Sequence, residues 1–473
     1  MITFLHLCAA AIFVYFLCLL AINLLLILLG SIKIRQYNDE VTAADFDHIA
    51  KSRLSLPISV IIPAHNEAAI IIGVVENTLK LDYPIHEVVV VDDGSTDQTL
   101  DLLIGRFGLQ KIEKHGSSHI QTHRIDAVYE SPQHPNLVVV AKENGKRADA
   151  INAGVILSRY PLLCIIDADC VIESDGLQHM ARPFLLDPQL AAAAGVVRPS
   201  NGLILRDGVI VERRLPRTWL GMNQEVEYAR SFQWARIGLN RVQSMLCISG
   251  ALLLIKRTVF EETGGPWPDA ITDDIEYTIR LNRFLHDRLN KRGMRMAFIP
   301  DAVSYTQVPE KLSLYLSQRN RWQRGTLQAI LRNRGMLFNP RYGATSLFGL
   351  SYFLFFEAMA PLVEIAAFLL AMFMLSTGLT TWHEVVAVIF LAYAACVMLT
   401  LMAVLITETT RMRAGTWKDL WKMILAVFMD PIGWHQLRVL TSVWATIEFV
   451  LFRRCDLGAP MQRHVQPHSC ASI

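Results

Sequence analysis

Residues 162–169 read Leu162-Leu163-Cys164-Ile165-Ile166-Asp167-Ala168-Asp169: five apolar residues in a row, then two carboxylates separated by one alanine. A run this short that stops at polar residues predicts a strand buried on both faces, as strands in parallel sheets are. Similar runs precede it at Ile58 to Ile62, Glu87 to Val91 and Leu137 to Val140, with helix-length segments between them. This alternation, from about Leu54 to Pro300, predicts an α/β domain with a mostly parallel sheet and helices on both faces. Ligands of such sheets bind beyond the carboxyl ends of the strands. Three of those ends carry Pro63-Ala64-His65-Asn66-Glu67, Asp92-Asp93-Gly94-Ser95-Thr96-Asp97 and Asp167-Ala168-Asp169, so carboxylates gather at one edge.

The chain has no GxGxxG and no GxxxxGK[ST], which argues against a dinucleotide oxidoreductase and a P-loop nucleotidase. Acidic groups beside a diphosphate make sense when a divalent cation sits between them. The Asp167-x-Asp169 turn supplies hard oxygen ligands for Mg2+ or Mn2+. Asp97 reads instead as a turn residue or helix start.

In chain order stand PAHNE (63–67), VVVDDGSTD (89–97), ENGKRADAINAG (143–154), DAD (167–169), TDDIEYTIRL (272–281) and QRNRW (318–322). Over about residues 55 to 345 this series resembles the membrane-embedded family 2 inverting glycosyltransferases, the group of cellulose, chitin, hyaluronan and poly-N-acetylglucosamine synthases. The resemblance implies a GT-A fold, a nucleoside-diphosphate-sugar donor (usually a UDP-sugar), and Mg2+ or Mn2+ as cofactor. It places Ala64, Glu67 and Asp93, with neighbouring Asp92, at the uridine. Lys146 falls beside the diphosphate, and Asp167 and Asp169 at the metal. Within the group, spacing and compact size are most similar to poly-N-acetylglucosamine synthases. UDP-N-acetylglucosamine is therefore the suggested donor, although the motifs do not read out the sugar.

The segments after Asp169 are expected to handle the acceptor. Ser249-Gly250-Ala251 is a small-residue step that lets another backbone or a sugar come close; the matching family segment lines the acceptor pocket, and a tight bend alone is the competing reading. Thr272-Asp273-Asp274 opens the helical pattern Ile275 to Leu285. Carboxylates there suit the helix dipole, but inverting transfer also needs a base for the acceptor hydroxyl. By resemblance Asp274 is that base, with Asp273 on the acceptor side where the family usually has Glu. On a helix Gln318, Arg321 and Trp322 share one face. Arg321 suits a diphosphate, while Gln318 and Trp322 suit an acceptor sugar. Arg319 and Arg324 fit cations snorkelling at a membrane surface.

The 473 residues are 52% hydrophobic and 19% charged, with a mean hydropathy of +0.31, a tilt toward the bilayer. The net charge of +2 creates no field that would recruit nucleic acid. Eight scattered Cys without a CxxC argue against a disulfide framework or structural zinc. Thr3 to Leu29, about 27 uncharged positions, exceeds the ~20 needed to span a bilayer. Its neutral start and length favour an uncleaved anchor over a signal peptide, and Lys33 and Arg35 place the long middle segment in the cytoplasm. Further apolar zones run over 347–375, 385–406 and 423–452. The last is interrupted by Pro431, His435 and Arg438, and so reads as a broken span, a hairpin or an interfacial helix. Basic Arg411, Arg413, Lys418 and Lys422 come after the zone 385–406. Glu357 and Glu364 are expected either to face protein or a polar cavity or to mark an interfacial, amphipathic stretch.

The expected organisation is an anchor (1–32), a cytosolic catalytic domain (33–340), C-terminal transmembrane or interfacial helices (341–455) and a flexible tail (456–473). The expected protein is a multi-pass enzyme of the plasma (inner) membrane that extends a polysaccharide, with the bilayer and accessory export proteins as partners. Transfer of one sugar to a lipid acceptor is the rival reading. A non-enzymatic transporter or scaffold is a third, and the candidate base, metal carboxylates and Trp322 stand against it.

Overall fold

The computed structural model describes residues 2–43, 55–114, 116, 119–286, 293–407 and 416–452. The expected tail 456–473, and Arg411 and Arg413, lie outside these residues. The four runs read from the sequence are strands: β1 (Ile58–Ala64), β2 (His86–Asp93), then, after β3 (Gln110–Ile112) and β4 (Ile125–Glu130), β5 (Leu137–Lys142) and β6 (Leu162–Ile165). Next come β7 (Cys170–Ile172), β8 (Leu190–Pro199), β9 (Leu203–Arg206), β10 (Val209–Arg213), β11 (Leu253–Lys256) and β12 (Arg295–Thr306). One sheet runs β3-β4-β5-β2-β1-β6-β11-β8-β12-β7, and β9 and β10 form a separate hairpin.

Burial on both faces explains the unbroken apolar runs. Along β2, Val88 and Val90 point to one side, where they meet Ile71, Val74, Leu103 and Phe107 of the helices Ile71–Leu79 and Thr99–Phe107. Val89 and Val91 point to the other, against Ala150, Ala153 and Leu157 of the helix Lys146–Leu157. Each such fully buried side chain contributes roughly 1.5–3 kcal/mol. The parallel register sets Ala64 beside Asp92, and Asp93 beside Lys142, so the polar strand ends lie level.

The sheet is mixed rather than mostly parallel. β5, β2, β1 and β6 are parallel, but β11 is antiparallel to β6 and β8, β7 to β12, and β4 to β3 and β5. An apolar run reports burial and says nothing about direction, which depends on how the chain returns to the sheet.

Among the described residues, two helical stretches, Ile2–Asp39 and Trp382–Thr407, are long and apolar enough to cross a membrane. A third candidate is the pair Thr345–Ala358 and Ala360–Ser376, bent by 44°. The last apolar zone is two helices, Trp417–Met429 and His435–Val450, separated by non-helical Ile432 and Gly433; at 13 and 16 residues both are short for a span. On the first of them Trp417, Trp421, Leu425 and Phe428 are exposed while Met423, Ala426 and Val427 pack inward, the pattern of an interfacial helix. Glu364 is partnered as expected, its Oε2 lying 2.8 Å from His435 Nε2.

A charged cluster ties the N-terminal helix to the sheet. Tyr37 donates to Asp301 of β12, which also pairs with Arg182 at 3.3 Å and with His179 Nδ1 at 3.0 Å; His179 Nε2 lies 3.1 Å from Asp175. Burial disfavours the charged imidazole, but hydrogen bonds to Asp175 and Asp301 outweigh it and raise the His179 pKa from 6.5 to about 9. A raised histidine pKa stabilises the fold fully below the unfolded value and loses that contribution as pH rises through the folded one. The detergent-solubilised protein is therefore expected to lose thermal stability between pH 6.5 and about 9. His179→Gln should flatten this slope in scanning fluorimetry, and an unchanged slope would contradict the assignment.

Candidate active site

A cavity of about 820 Å³ opens at the strand ends and continues down to the membrane-proximal helices. Ala64, Glu67 and Asp93 line its upper end, with Lys146, Asp167 and Asp169 beside them. Asp93 Oδ1 accepts from Lys142 Nζ at 2.8 Å and from the Gly145 amide at 2.9 Å. Lys142 is fully buried and also pairs with Asp149 at 2.5 Å. Lys146 opens its helix at a φ of 71°, in the left-handed region. Asp92 does not line the cavity: it is buried behind Asp93, and its Oδ1 has no hydrogen-bond partner among the described residues. Burial raises its pKa above 3.8. Asp97 is a turn residue as read, accepting from the Thr99 amide at 2.9 Å and the Ala68 amide at 3.2 Å.

Asp167 and Asp169 flank the turn between β6 and β7. Their carboxylates and the Cys170 thiol each offer a ligand atom, all within 4.8 Å of one another. Asp169 is oriented by hydrogen bonds from Thr306 Oγ1 at 3.2 Å and Cys170 Sγ at 3.4 Å. Two hard oxygen donors this close on a cavity wall fit a divalent cation.

A residue with no role in the sequence reading, Arg147, ties three motifs together. It donates through Nε to Asp167 at 2.6 Å, through Nη1 to Asp273, and through Nη2 to the Gly250 carbonyl at 3.0 Å. A Cβ at Gly250 would sit 2.4 Å from Arg147 Nη2, so a larger residue there would push the guanidinium from its present position. Asp273 is thus an ion-pair partner as well as a helix-start residue. The sequence places a Lys-Arg pair at 146–147 but does not say which cation faces which motif.

Asp274 stands in the first turn of the helix Asp273–Phe284 and lines the cavity. Its Oδ1 accepts from the Ile275 amide at 2.8 Å. Burial first, then the negative charge of Asp273, pushes its carboxyl above 3.8, with Arg147 opposing. A carboxylate shifted this way suits a general base. The helix Leu312–Arg332 crosses close by: a Cβ on Gly325 would lie 2.2 Å from Thr272 Oγ1. From this helix Gln318, Arg321 and Trp322 reach the cavity wall, as does Ser249 from the loop before β11.

The profile described as "Glycosyltransferase like family 2" matches residues 56–325, more than half of the chain. The chain belongs to this glycosyltransferase family. A second profile, "Chitin synthase", matches residues 278–451. The chain is 26% identical over 277 residues to a poly-beta-1,6-N-acetyl-D-glucosamine synthase of Staphylococcus aureus (strain COL), covering 58% of this chain and 56% of that protein. It is 25% identical over the same length to the synthase of Staphylococcus epidermidis. The chain thus spans about half the length of the curated relatives it matches. A mannosyltransferase from Pyrobaculum calidifontis, solved with GDP-Man and Mn2+, shares the fold at a TM-score of 0.50 and 18% identity, covering 92% of this chain and 100% of that one. The family and this likeness establish the expected GT-A-like architecture.

In this family 2 glycosyltransferase the cavity passes Trp322 and continues to Tyr352, Glu357 and Arg438. Glu357 accepts from Tyr352 Oη at 3.3 Å, so it faces a polar cavity, one of the expected alternatives. Arg319 and Arg324 do not snorkel. They are 6% and 3% exposed; Arg319 pairs with Glu227 at 2.8 Å and Arg324 donates to Asn320 at 2.8 Å. A basic stretch beside an apolar zone suggests a membrane surface, and nothing near it in sequence announces Glu227.

Proposed function

We propose that the protein is an inverting, metal-dependent glycosyltransferase that adds sugar from a UDP-sugar, UDP-N-acetylglucosamine, to a growing polysaccharide. The observation that carries this is one continuous cavity, running from the strand-end carboxylates past Asp274 and Trp322 to polar groups between the C-terminal helices. In this reading Ala64, Glu67 and Asp93 hold the uridine, and Asp92 acts from behind by shaping the strand end. Lys146 and Arg321 neutralise the diphosphate. Asp167 and Asp169 would hold Mg2+ or Mn2+, which supplies positive charge for the departing diphosphate. Asp274 accepts the proton of the acceptor hydroxyl. Trp322 offers a flat face to the acceptor ring, while Ser249, Gly250 and Gln318 bound its pocket. Asp273, held by Arg147, keeps the Asp274 turn against the donor end.

Polar and charged groups line the deep end of the cavity, among them Glu227, Arg236, Glu357 and Arg438. Those four charged groups, set among apolar Leu246, Phe353 and Pro361, suit a hydroxyl-rich chain better than an alkyl tail, which supports a saccharide acceptor over a lipid. Lys33 and Arg35 after the first apolar stretch support a cytoplasmic catalytic domain at the plasma (inner) membrane. The test is to incubate membranes with a panel of labelled UDP-sugars plus Mg2+ or Mn2+. Label from UDP-N-acetylglucosamine should enter a long, organic-insoluble product. A product one sugar long that partitions into organic solvent would overturn polymerisation.

A further inference from the structure

Arg319 is a cation enclosed by aromatic rings. Its guanidinium carbon lies 4.1 Å from the Trp322 ring centroid and 4.7 Å from that of Tyr315. Tyr315, Arg319 and Trp322 follow at helical spacing on one face of the helix Leu312–Arg332. Glu227, on the helix Trp219–Tyr228, accepts from Arg319 Nη2 at 2.8 Å and from Tyr315 Oη at 3.4 Å, closing the assembly.

Two further facts show that this is more than an ion pair. Nε and Nη1 of Arg319 are buried and have no hydrogen-bond partner among the described residues. Donors lying over ring faces are satisfied by the π electrons rather than by lone pairs. In addition, Glu227 is not free to follow Arg319. On its own helix Met222 and Val226 are packed into Val397 and Val404 of Trp382–Thr407, and into Met423 and Val427 of Trp417–Met429. The position of the Trp322 plate thus traces back, through Arg319 and Glu227, to a contact with the membrane-proximal helices.

We infer that Arg319 is a positioning residue for the acceptor: stacked on Trp322 and anchored by Glu227, it sets the plane on which the acceptor sugar rests. This deepens the proposed function and rests on its assignment of Trp322 to the acceptor. Lysine in its place keeps the charge for Glu227 but lacks the planar fork that lies against both rings.

The test uses the full chain in detergent, UDP-N-acetylglucosamine as donor and an N-acetylglucosamine oligosaccharide as primer, with UDP release measured against each substrate. Two variants are compared, Arg319→Lys and the double variant Glu227→Gln/Arg319→Met, the second leaving no unpaired buried charge; thermal melts identify the variants that fold. A lost ring–cation contact should raise the KM for the primer about tenfold in both, with the KM for donor held within about twofold. Primer KM within about twofold of wild type in either folded variant, or donor and primer KM rising together, overturns the inference. Wild-type protein that releases no UDP with this donor and primer overturns the functional reading beneath it instead.

Discussion

Asp274→Asn should lower sugar transfer by about two to four orders of magnitude, the range for losing a positioned general base, while donor binding persists. The amide fills the same space and still accepts from the Ile275 amide, so the first turn of its helix stays in place. What it cannot do is take a proton. The pH profile gives an independent check, because burial and Asp273 hold the Asp274 carboxyl above 3.8. A base works when deprotonated, so kcat/KM should fall as pH drops through that raised value. An acid limb at or below 3.8, or an Asp274→Asn enzyme with wild-type turnover, would remove Asp274 from the role of base.

The second large effect is expected at the carboxylate turn. Asp169→Asn should cut metal-stimulated UDP release by about 100-fold or more, the scale of losing electrostatic help to a departing diphosphate. It should also weaken Mn2+ binding measured by electron paramagnetic resonance, a readout that needs no turnover. Asn keeps an oxygen for the Thr306 hydrogen bond, so the local structure should survive. Asp167→Asn should weaken Mn2+ binding as well, and it additionally loosens Arg147 from the strand end. If both variants bind Mn2+ as the wild type does, the ion is held elsewhere.

Much of the site is legible in the sequence because its groups sit at the ends of short apolar runs. β1, β2, β5 and β6 occupy the read positions, and all the site residues chosen from the motifs line one cavity except Asp92. Asp92 and Asp93 look equivalent as neighbours in a string; strand alternation turns one toward the cavity and the other away. Lys142 and Arg147 escape a sequence reading for a different reason. A lysine at a strand end and the second base of a Lys-Arg pair look like ordinary solvated cations until their carboxylate partners are known.

Local pattern along the chain is enough for what depends on near neighbours: apolar runs for strands and membrane-length helices, carboxylates at the turns that end those runs, and an amide, a cation and an indole on one helical face. These features arise from backbone period and side-chain chemistry over a few residues. Contacts between residues far apart in the chain came from the folded molecule alone. Arg147 meets Asp273 across 126 positions and Arg319 meets Glu227 across 92, and β11 returns antiparallel because of how residues 200–252 loop back. The membrane reading of Arg319 failed for the same cause. Whether a cation goes to water or to a carboxylate within the protein turns on which partner the fold brings to it, and the fold brought Glu227.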